Sequence, residues 1–356
     1  MTRWWVGAAV AAVVLLGVAL VVAAPWRPAH VTTRDAFQRG VALGLFASDP
    51  DWDYAGLLDE IVATGATDVE IVVPWYQDEM RSLTMEPRNG YSPSDATLRR
   101  TLRQARERGL RIMLFPILRI EKRQRNEWRG KIAFTDVTSA DSWWRSYTHF
   151  IRTMALAARD EGVTRLSVGS EFLALETERA RWATLIQEVR GIFSGRILYS
   201  ANWDHFDAVT FWDLVDEAGM TAYFELTKSN APSLKELTEA WNRWVPSVES
   251  FARRVGRPLV ITEVGYPSLD GANIYPWDET RKSTVDLVEQ QLCYAAFCST
   301  AGRSPWVSGV YFWNWFGFGG PHDGDYTPRG KPAAEVIRVY FHERALQPQS
   351  AENLTR

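Results

Sequence analysis

Runs of strand-forming residues alternate with helix-forming stretches along most of this chain, and that alternation limits its fold more than any other feature. Short β-rich runs indicate strands, and apolar residues spaced about 3.6 apart indicate helices. Eight strands are predicted, at residues 40–46, 68–74, 111–115, 165–169, 197–202, 219–223, 259–263 and 309–313. Strands alternating with helices favour a parallel sheet. Eight such units predict a (β/α)₈ TIM barrel, an α/β fold, over residues 40–343.

The connections between these elements differ in length at the two ends of the predicted barrel. Helix-to-strand connections are short, as at residues 65–67 and 162–164. Long strand-to-helix connections span residues 118–141, 264–282 and 315–331. In a TIM barrel the strand-to-helix loops lie at the carboxyl ends of the strands, where active sites are built. We therefore expect a functional site at that face.

Composition excludes some partners and favours others. The net charge of −3 argues against nucleic acid, because binding phosphates requires a basic surface. The 17 tryptophans are many for this length, and such flat rings either fill a core or stack on sugars. Cys293 and Cys298 lack metal-site spacing and are expected to be free and buried. His322, Asp323 and Asp325 resemble a polar turn more than a metal site. No metal or other cofactor is predicted, and a monomer is expected.

The first 28 residues form a separate segment. The run from Trp4 to Trp26 carries no charge, and it matches the ~20 residues needed to cross a bilayer. Arg3 precedes the run and tryptophans flank it, as at membrane interfaces. A cleaved signal peptide and a secreted domain are the alternative, although Pro25 disfavours cleavage. The predicted organisation is a transmembrane helix at residues 1–28, a linker at 29–39, an extracytoplasmic barrel at 40–343 and a polar tail at 344–356.

Two predicted strands, the fourth and the seventh, end on a glutamate after an apolar run. Glu171 closes the run that begins at Arg165, and Glu263 closes the run that begins at Pro258. A buried strand has little reason to end on an unpaired acid. Glycoside hydrolysis needs two carboxyl groups, one to protonate the leaving oxygen and one to attack the anomeric carbon or activate water. The alternative is that each glutamate only forms a salt bridge at a helix start.

The two glutamates need different surroundings for this chemistry. Glu171, as the acid, should hold a proton, which burial and a neighbouring carboxylate both favour. Glu263, as the nucleophile, should stay ionised and therefore needs a hydrogen-bond donor. Tyr223, at the end of the sixth strand, is the nearest candidate donor. A carboxyl separation of ~5 to 5.5 Å would indicate a retaining mechanism.

Other candidate sugar-binding residues lie at strand ends or in the long loops. They are Trp75, Tyr76, Trp128, Arg129, Asn202, Trp203 and Trp313. Trp313 is expected to form the floor of the central sugar site, with packing inside the barrel as the alternative. Trp75 and Tyr76 either line a sugar site or pack beneath a helix. Arg129 is expected to donate to sugar hydroxyls or to pair with a loop acid. Asn202 and Trp203, which follow the fifth strand, either bind sugar or cap their loop.

Several motifs in register give residues 40–341 a resemblance to a known family. The main motifs are Gly169-Ser-Glu171, Thr262-Glu-Val-Gly-Tyr266 and Tyr311-Phe-Trp-Asn-Trp315, and supporting matches occur at residues 73–77, 128–130, 200–204, 211–213, 222–224, 276–278 and 326–332. Together they resemble the retaining (β/α)₈ glycosidases, and most specifically glycoside hydrolase family 113, the β-mannanases.

The resemblance implies Glu171 as acid/base, Glu263 as nucleophile, β-1,4-mannan or a similar polysaccharide or oligosaccharide as substrate, and no cofactor. Ser170 departs from the wider clan, in which many members have an asparagine that contacts the sugar 2-hydroxyl. Glu225 stands where an uncharged residue is expected. The predicted function is therefore a retaining β-mannanase-like glycoside hydrolase. The alternatives are hydrolysis of another cell-surface β-glycan and an inactive, membrane-tethered sugar-binding barrel.

Overall fold

The computed structural model describes residues 36–346, in which eight parallel strands close into a barrel. The strands are β1 (Gln38–Gly44), β2 (Asp68–Gln77), β3 (Arg111–Ile120), β4 (Arg165–Ser170), β5 (Arg196–Ala201), β6 (Glu217–Thr221), β7 (Leu259–Val264) and β8 (Val307–Phe312). Each strand pairs with the next along the chain, and β8 pairs with β1. All eight predicted strands are confirmed.

β2 and β3 extend beyond their predicted ends. The predicted strands stop at Pro74 and at Phe115, just before Pro116, and a proline usually weakens a strand because it cannot donate to the ladder. In the structure these two strands remain paired in register past both prolines, as far as Gln77 and Ile120. This longer pair brings additional side chains of both strands to the mouth of the barrel.

Seven α-helices are described between and after the strands. They are α1 (Ala55–Ala63), α2 (Asp95–Glu107), α3 (Val137–Asp160), α4 (Arg179–Arg190), α5 (Leu234–Val255), α6 (Leu287–Ser299) and α7 (Pro332–Leu346). α5 begins at a reciprocal capping box between Ser233 and Glu236, as a Ser-x-x-Glu spacing predicts. The connection from β5 to β6 has two 3₁₀ turns, Phe206–Ala208 and Trp212–Leu214, in place of an α-helix.

At the amino ends of the strands, buried charged and polar side chains fill the inside of the barrel. The Arg165 guanidinium lies between two buried carboxylates, with Nε 3.1 Å from Glu217 Oε2 and Nη1 3.8 Å from Asp68 Oδ1. Gln38 donates to Glu217 Oε1 and accepts from the Tyr311 hydroxyl. Buried charges are tolerated when they are paired and hydrogen-bonded in this way. Because this end is filled, the accessible end of the barrel is the carboxyl end.

Aromatic side chains fill much of the layer between the barrel and its helices. Trp143 stacks on Tyr147 with 5.0 Å between ring centroids, and Trp182 stacks on Phe211 at 4.8 Å. Trp143, Trp182 and Trp241 are almost fully buried, so core packing accounts for part of the tryptophan content. Cys293 and Cys298 are free and buried, as predicted.

The ends of the barrel domain differ slightly from those predicted. Gln38 and Arg39, assigned to the linker, belong to β1, because Gln38 is buried in the network at the base of the barrel. At the other end, α7 continues into the predicted tail as far as Leu346.

Between residues 36 and 346, none of the helices has the length and apolar character that a membrane span requires. The transmembrane helix predicted at residues 1–28 lies outside the described residues.

Candidate active site

Glu171 immediately follows β4, at the carboxyl end of the barrel. Its φ of 58° is left-handed, which is uncommon for a residue other than glycine. Two hydrogen bonds hold this turn: the Glu171 N–H donates to the Ser200 carbonyl (2.8 Å), and the Phe172 N–H donates to the Tyr199 hydroxyl (2.9 Å). Such a conformation persists only where its surroundings impose it. The position of the Glu171 carboxyl is therefore set by β5.

Arg129 binds Glu171 directly. Its Nη2 donates to Glu171 Oε2 at 2.7 Å, and its Nε donates to the Ser170 carbonyl at 2.9 Å. Arg129 opens a short 3₁₀ helix, Arg129–Lys131, in the connection from β3 to α3. The sequence suggested contact with sugar hydroxyls or with a loop acid. In the structure the acid is the predicted general acid itself.

Glu263 lies in β7 and is almost fully buried. The Tyr223 hydroxyl donates to Glu263 Oε2 at 2.8 Å, which joins the predicted donor to the predicted nucleophile. Glu263 Oε1 has no hydrogen-bond partner among residues 36–346. The Tyr223 hydroxyl therefore holds one carboxyl oxygen of Glu263, and the other oxygen is available for a different contact.

The two glutamates are close enough for their charges to interact. Burial, together with the charge of Glu171, raises the pKa of Glu263 to about 8. Arg129 and the hydrogen bond from Tyr223 lower it, but they do not offset burial. At neutral pH the unliganded site therefore keeps a proton on Glu263, while Glu171 is paired with a guanidinium. The sequence did not reveal the contact between Arg129 and Glu171.

The raised pKa predicts that Glu263 reduces stability as pH rises. A carboxyl whose pKa is higher in the folded state than its ordinary 4.5 holds its proton more tightly when folded, so its contribution to stability is lost between about pH 4.5 and 8. Glu263→Gln should increase the free energy of unfolding by on the order of 3 kcal/mol at pH 8 and change it little at pH 4.5. Urea unfolding at both pH values measures this difference.

A surface glutamate provides the control for that measurement. Glu188 is about two-fifths exposed and pairs only with Arg152 on the outer helices. Glu188→Gln should leave the pH dependence of unfolding at the wild-type profile. An increase for Glu263→Gln that is the same at pH 4.5 and pH 8 would show that the effect does not come from titration of this carboxyl.

Trp313 follows β8 and is joined to Asn314 by a cis peptide bond. Its half-buried ring packs on Phe46, with 6.3 Å between ring centroids, at the top of the apolar barrel interior. The neighbouring Gly265 has no room for a side chain, since an added Cβ would lie 2.5 Å from the Trp313 carbonyl oxygen. A partly exposed ring fixed in this position fits the predicted floor of a sugar site.

Two further predicted residues lie near this mouth. Trp128 is half-buried and its ring covers Gly130, where an added Cβ would lie 2.5 Å from the ring. Glycine at position 130 therefore allows the Trp-Arg-Gly segment to fold back on itself. Tyr76 lies near the end of β2, beside Tyr91 at 5.9 Å between ring centroids, and forms a hydrogen bond with Arg119.

Three predicted residues serve mainly in packing or loop capping. Trp75 stacks on Phe150 of α3 at 4.6 Å and is 8% exposed, so it packs beneath a helix. Asn202 Oδ1 accepts from the Trp203 N–H (2.9 Å) and from the Thr221 hydroxyl (3.3 Å), which caps the loop after β5. Trp203 is half-buried, with its ring 5.4 Å from that of Phe224 and 6.0 Å from that of Trp244.

The sequence reading missed a third carboxyl inside the barrel. Glu70 lies in β2, is fully buried and has no hydrogen-bond partner for either oxygen among the described residues. Burial, and to a lesser degree the charge of Glu263, raise its pKa well above the usual range. Glu70 is therefore neutral at neutral pH. The available signal was an acid within the otherwise apolar run at residues 69–73.

A hydrogen-bonded group that the sequence did not reveal, made of Tyr199, Glu176 and His205, supports the loop that carries Glu171. The Tyr199 hydroxyl, which accepts from Phe172, donates to Glu176 Oε1 at 2.7 Å. His205 Nδ1 lies 2.8 Å from Glu176 Oε2. These contacts connect the turn at Glu171 to the loop after β5. None of them follows from sequence spacing.

One cluster of three acidic side chains has its carboxylate oxygens close enough together to suggest a cation site. Asp270, Asp286 and Glu289 each place a carboxylate oxygen within 4.8 Å of the others. Glu289 is already used in the loop, because it accepts from the N–H groups of Gly271 and Asn273. Asp286 caps the amino end of α6. These contacts account for Glu289 and Asp286 as loop structure.

Taken together, the mouth of the barrel holds two interacting carboxyl groups, a guanidinium on one, a phenol on the other and a partly exposed indole. Two carboxyl groups that face a shared cleft, each with its own hydrogen-bond donor, supply the groups required for acid-assisted displacement at a sugar carbon.

Comparison with known proteins identifies a family of glycoside hydrolases. The model of Glycoside Hydrolase Family 113 matches residues 51–319. The structure of a family 113 β-1,4-mannanase is similar with a TM-score of 0.77 and 24% identity, covering 86% of this chain and 99% of that one. A family 113 β-mannanase from Alicyclobacillus acidocaldarius gives a TM-score of 0.78 and 25% identity, covering 87% and 98%. A family 5 mannosidase from Rhizomucor miehei shares the fold with a TM-score of 0.59 and 15% identity, covering 88% and 94%. No curated protein matches the chain in sequence.

Proposed function

Because the chain belongs to glycoside hydrolase family 113, we propose that this glycoside hydrolase cleaves β-1,4-linked mannan or a related β-glycan by double displacement. The observation that carries the mechanism is the electrostatic interaction of Glu171 and Glu263 at the mouth of the barrel. The structural similarity to family 113 β-mannanases supports the choice of mannan.

In the first step, Glu263 attacks the anomeric carbon and the bond to the leaving oxygen breaks. Glu171 gives its proton to that oxygen, so that the leaving sugar departs as a neutral alcohol. In the second step, Glu171 takes a proton from water, and the water oxygen displaces Glu263 from the anomeric carbon. The hydrogen bond from Tyr223 to Oε2 assigns the attacking role to the other oxygen, Oε1.

This sequence of steps requires the proton to change places before bond cleavage. In the unliganded site burial and the charge of Glu171 raise the pKa of Glu263 and so favour a proton on it. A glycosidic oxygen next to Glu171 accepts a hydrogen bond only from the protonated acid. Substrate binding therefore favours transfer of the shared proton from Glu263 to Glu171, which leaves the nucleophile ionised. The net charge of the pair does not change in this transfer.

Around this pair, we assign sugar contacts to the partly exposed residues of the mouth. Trp313 forms the floor beneath the sugar that is attacked, since its ring is partly exposed at the top of the barrel interior. Trp128, which is half-buried, lines the side. Trp75 and Asn202 are not assigned sugar contacts, because their side chains pack beneath α3 and cap a loop.

The full-length chain, incubated with mannan, β-glucan and xylan oligosaccharides, tests the proposed substrate. Release of reducing ends from mannan in preference to the other two is the expected result. An NMR time course on mannohexaose should show the β-anomer first, because double displacement retains configuration. Appearance of the α-anomer first would contradict double displacement. Binding without cleavage on every glycan would instead identify an inactive sugar-binding barrel.

We further propose that the barrel acts outside the cytoplasm, tethered by residues 1–28. The uncharged run from Trp4 to Trp26 and the preceding Arg3 support this placement. Polysaccharide substrates are too large to cross a membrane unaided, which is consistent with an enzyme on the outer side. Protease added to intact cells should remove the barrel domain, and protection of the domain would contradict the placement.

A further inference from the structure

Two loops from opposite sides of the barrel mouth are joined by ion pairs. The connections after β3 (residues 121–136) and after β7 (residues 265–286) follow strands that are four positions apart in a closed ring of eight. Arg123 Nη2, in the first loop, lies 2.6 Å from Glu279 Oε1 in the second. Arg119 Nη2, at the end of β3, lies 3.7 Å from Glu279 Oε2. Glu279 is thus bound from the far side of the mouth.

Glu279 also lies near the candidate catalytic pair. Burial lowers the pKa of Arg129, but the charges of Glu171, Glu263 and Glu279 together raise it. Burial raises the pKa of Tyr326, and Glu279 contributes more to that shift than any other charge. Arg129 binds Glu171, and the Tyr326 ring lies 6.2 Å from the ring of Tyr223 on the other side. The Tyr326 hydroxyl also donates to the Pro276 carbonyl at 2.5 Å, so the loop that carries Glu279 reaches this side of the site.

The arginines on the other side connect Glu279 to the proposed floor. The Arg119 guanidinium lies 5.6 Å from the centroid of the Phe46 ring, and Phe46 packs on Trp313. Arg119, Arg123 and Glu279 therefore form a bridge above the sugar site. We call these three residues the clasp.

We propose that the clasp is a specificity-determining element that admits glycan chain ends and short glycans more readily than internal segments of a polymer. This proposal rests on the proposed function. A chain end can be threaded beneath a bridge, whereas an internal segment has no free end and enters only when the bridge opens. The Arg123 and Glu279 side chains are 42% and 47% exposed. Exposed ion pairs are weak and are screened by salt, so the clasp restrains entry without closing the site permanently.

Comparing Glu279→Gln with wild type on mannan and on mannotetraose tests the clasp. The ratio of kcat/KM on the polymer to kcat/KM on the tetrasaccharide should rise about 2- to 5-fold, in line with loss of a weak exposed ion pair. Adding 0.5 M NaCl should raise the same ratio for wild type but not for Glu279→Gln. The matched control is Glu188→Gln, which removes an ion pair of similar exposure on the outer helices and should leave the ratio unchanged.

Two outcomes of that comparison would overturn the proposal. One is an unchanged ratio in Glu279→Gln. The other is an equal loss of kcat/KM on both substrates, which would mean that Glu279 contacts sugar or supports the site and does not control entry.

Limited digestion with trypsin tests the clasp without any glycan. Lys122, Arg123 and Arg125 are exposed in the loop after β3, and the loop is restrained by Glu279. Cleavage in this loop should be several-fold faster in Glu279→Gln than in wild type or Glu188→Gln, at equal melting temperatures. Cleavage at the wild-type rate would overturn the clasp. If wild type cleaves no glycan, the proposed function fails, while this digestion still reports on the clasp.

Discussion

Glu263→Gln should abolish glycan cleavage while leaving the barrel folded. We expect kcat/KM on mannan to fall by ~10⁴-fold or more, because an amide cannot form the glycosyl ester that divides the reaction into two steps. The amide oxygen can still accept the hydrogen bond from Tyr223, and burial favours an uncharged side chain. The melting temperature should therefore rise at neutral pH even as activity disappears. Reducing-end release and thermal unfolding measured on one preparation check both parts.

Two controls protect this result from misreading. Mass spectrometry should show that the introduced amide has not hydrolysed, since a small fraction of restored carboxylate would mimic residual activity. Glu188→Gln should retain wild-type activity, because that side chain pairs with Arg152 far from the mouth of the barrel. Near-native turnover by Glu263→Gln, with the amide intact, would remove Glu263 from the mechanism.

The strands could be predicted because their local pattern is strong, and the exceptions have tertiary causes. The predicted second and third strands stop at Pro74 and just before Pro116, yet β2 and β3 stay paired past both prolines. The missing helix after β5 is a related case. Residues 202–216 contain aromatic residues at no regular helical spacing and fold into two 3₁₀ turns. In both places tertiary pairing and packing, which a local pattern does not encode, decide the structure.

The shortened prediction for β2 also explains why Trp75 and Tyr76 were treated alike. Side chains in a strand alternate between its two faces. Glu70, Val72 and Tyr76 share one parity, and Val72 belongs to the cluster inside the barrel. Trp75 has the other parity and packs outward against α3. Had the strand been extended to Gln77, alternation alone would have separated the two aromatic residues.

The candidate catalytic residues were predictable, but their electrostatics were not. Glu171 and Glu263 stand out because each ends a buried strand, and Tyr223 follows from the adjacency of the sixth and seventh strands. The contact between Arg129 and Glu171 depends on a loop that folds back over 42 residues of chain. That contact pairs a positive charge with the predicted acid/base residue. Charge interactions across the barrel therefore have to be read from the structure.

Glu171→Ala should lose activity on natural glycans and recover part of it with azide on activated substrates. Without a general acid, cleavage of mannan should fall by about 10²- to 10⁴-fold. Aryl mannosides with good leaving groups need no proton for the first step, so the glycosyl enzyme should accumulate. Azide attacks this intermediate without a general base, and kcat should rise at least about 10-fold as azide is added. Arg129, freed from Glu171, places a positive charge where this anion would approach.

The products separate the roles of the two glutamates more sharply than the rates do. In Glu171→Ala, azide displaces Glu263 from the sugar, so the mannosyl azide should have the β-configuration of the substrate. In Glu263→Ala, azide would replace the nucleophile and attack the substrate directly, so the product should be the α-azide. NMR of the two products distinguishes these cases. A β-azide from Glu263→Ala, or an α-azide from Glu171→Ala, would require the two roles to be exchanged, and such an exchange would match the proton placement in the unliganded site. Azide without effect on either variant would argue against a covalent intermediate altogether.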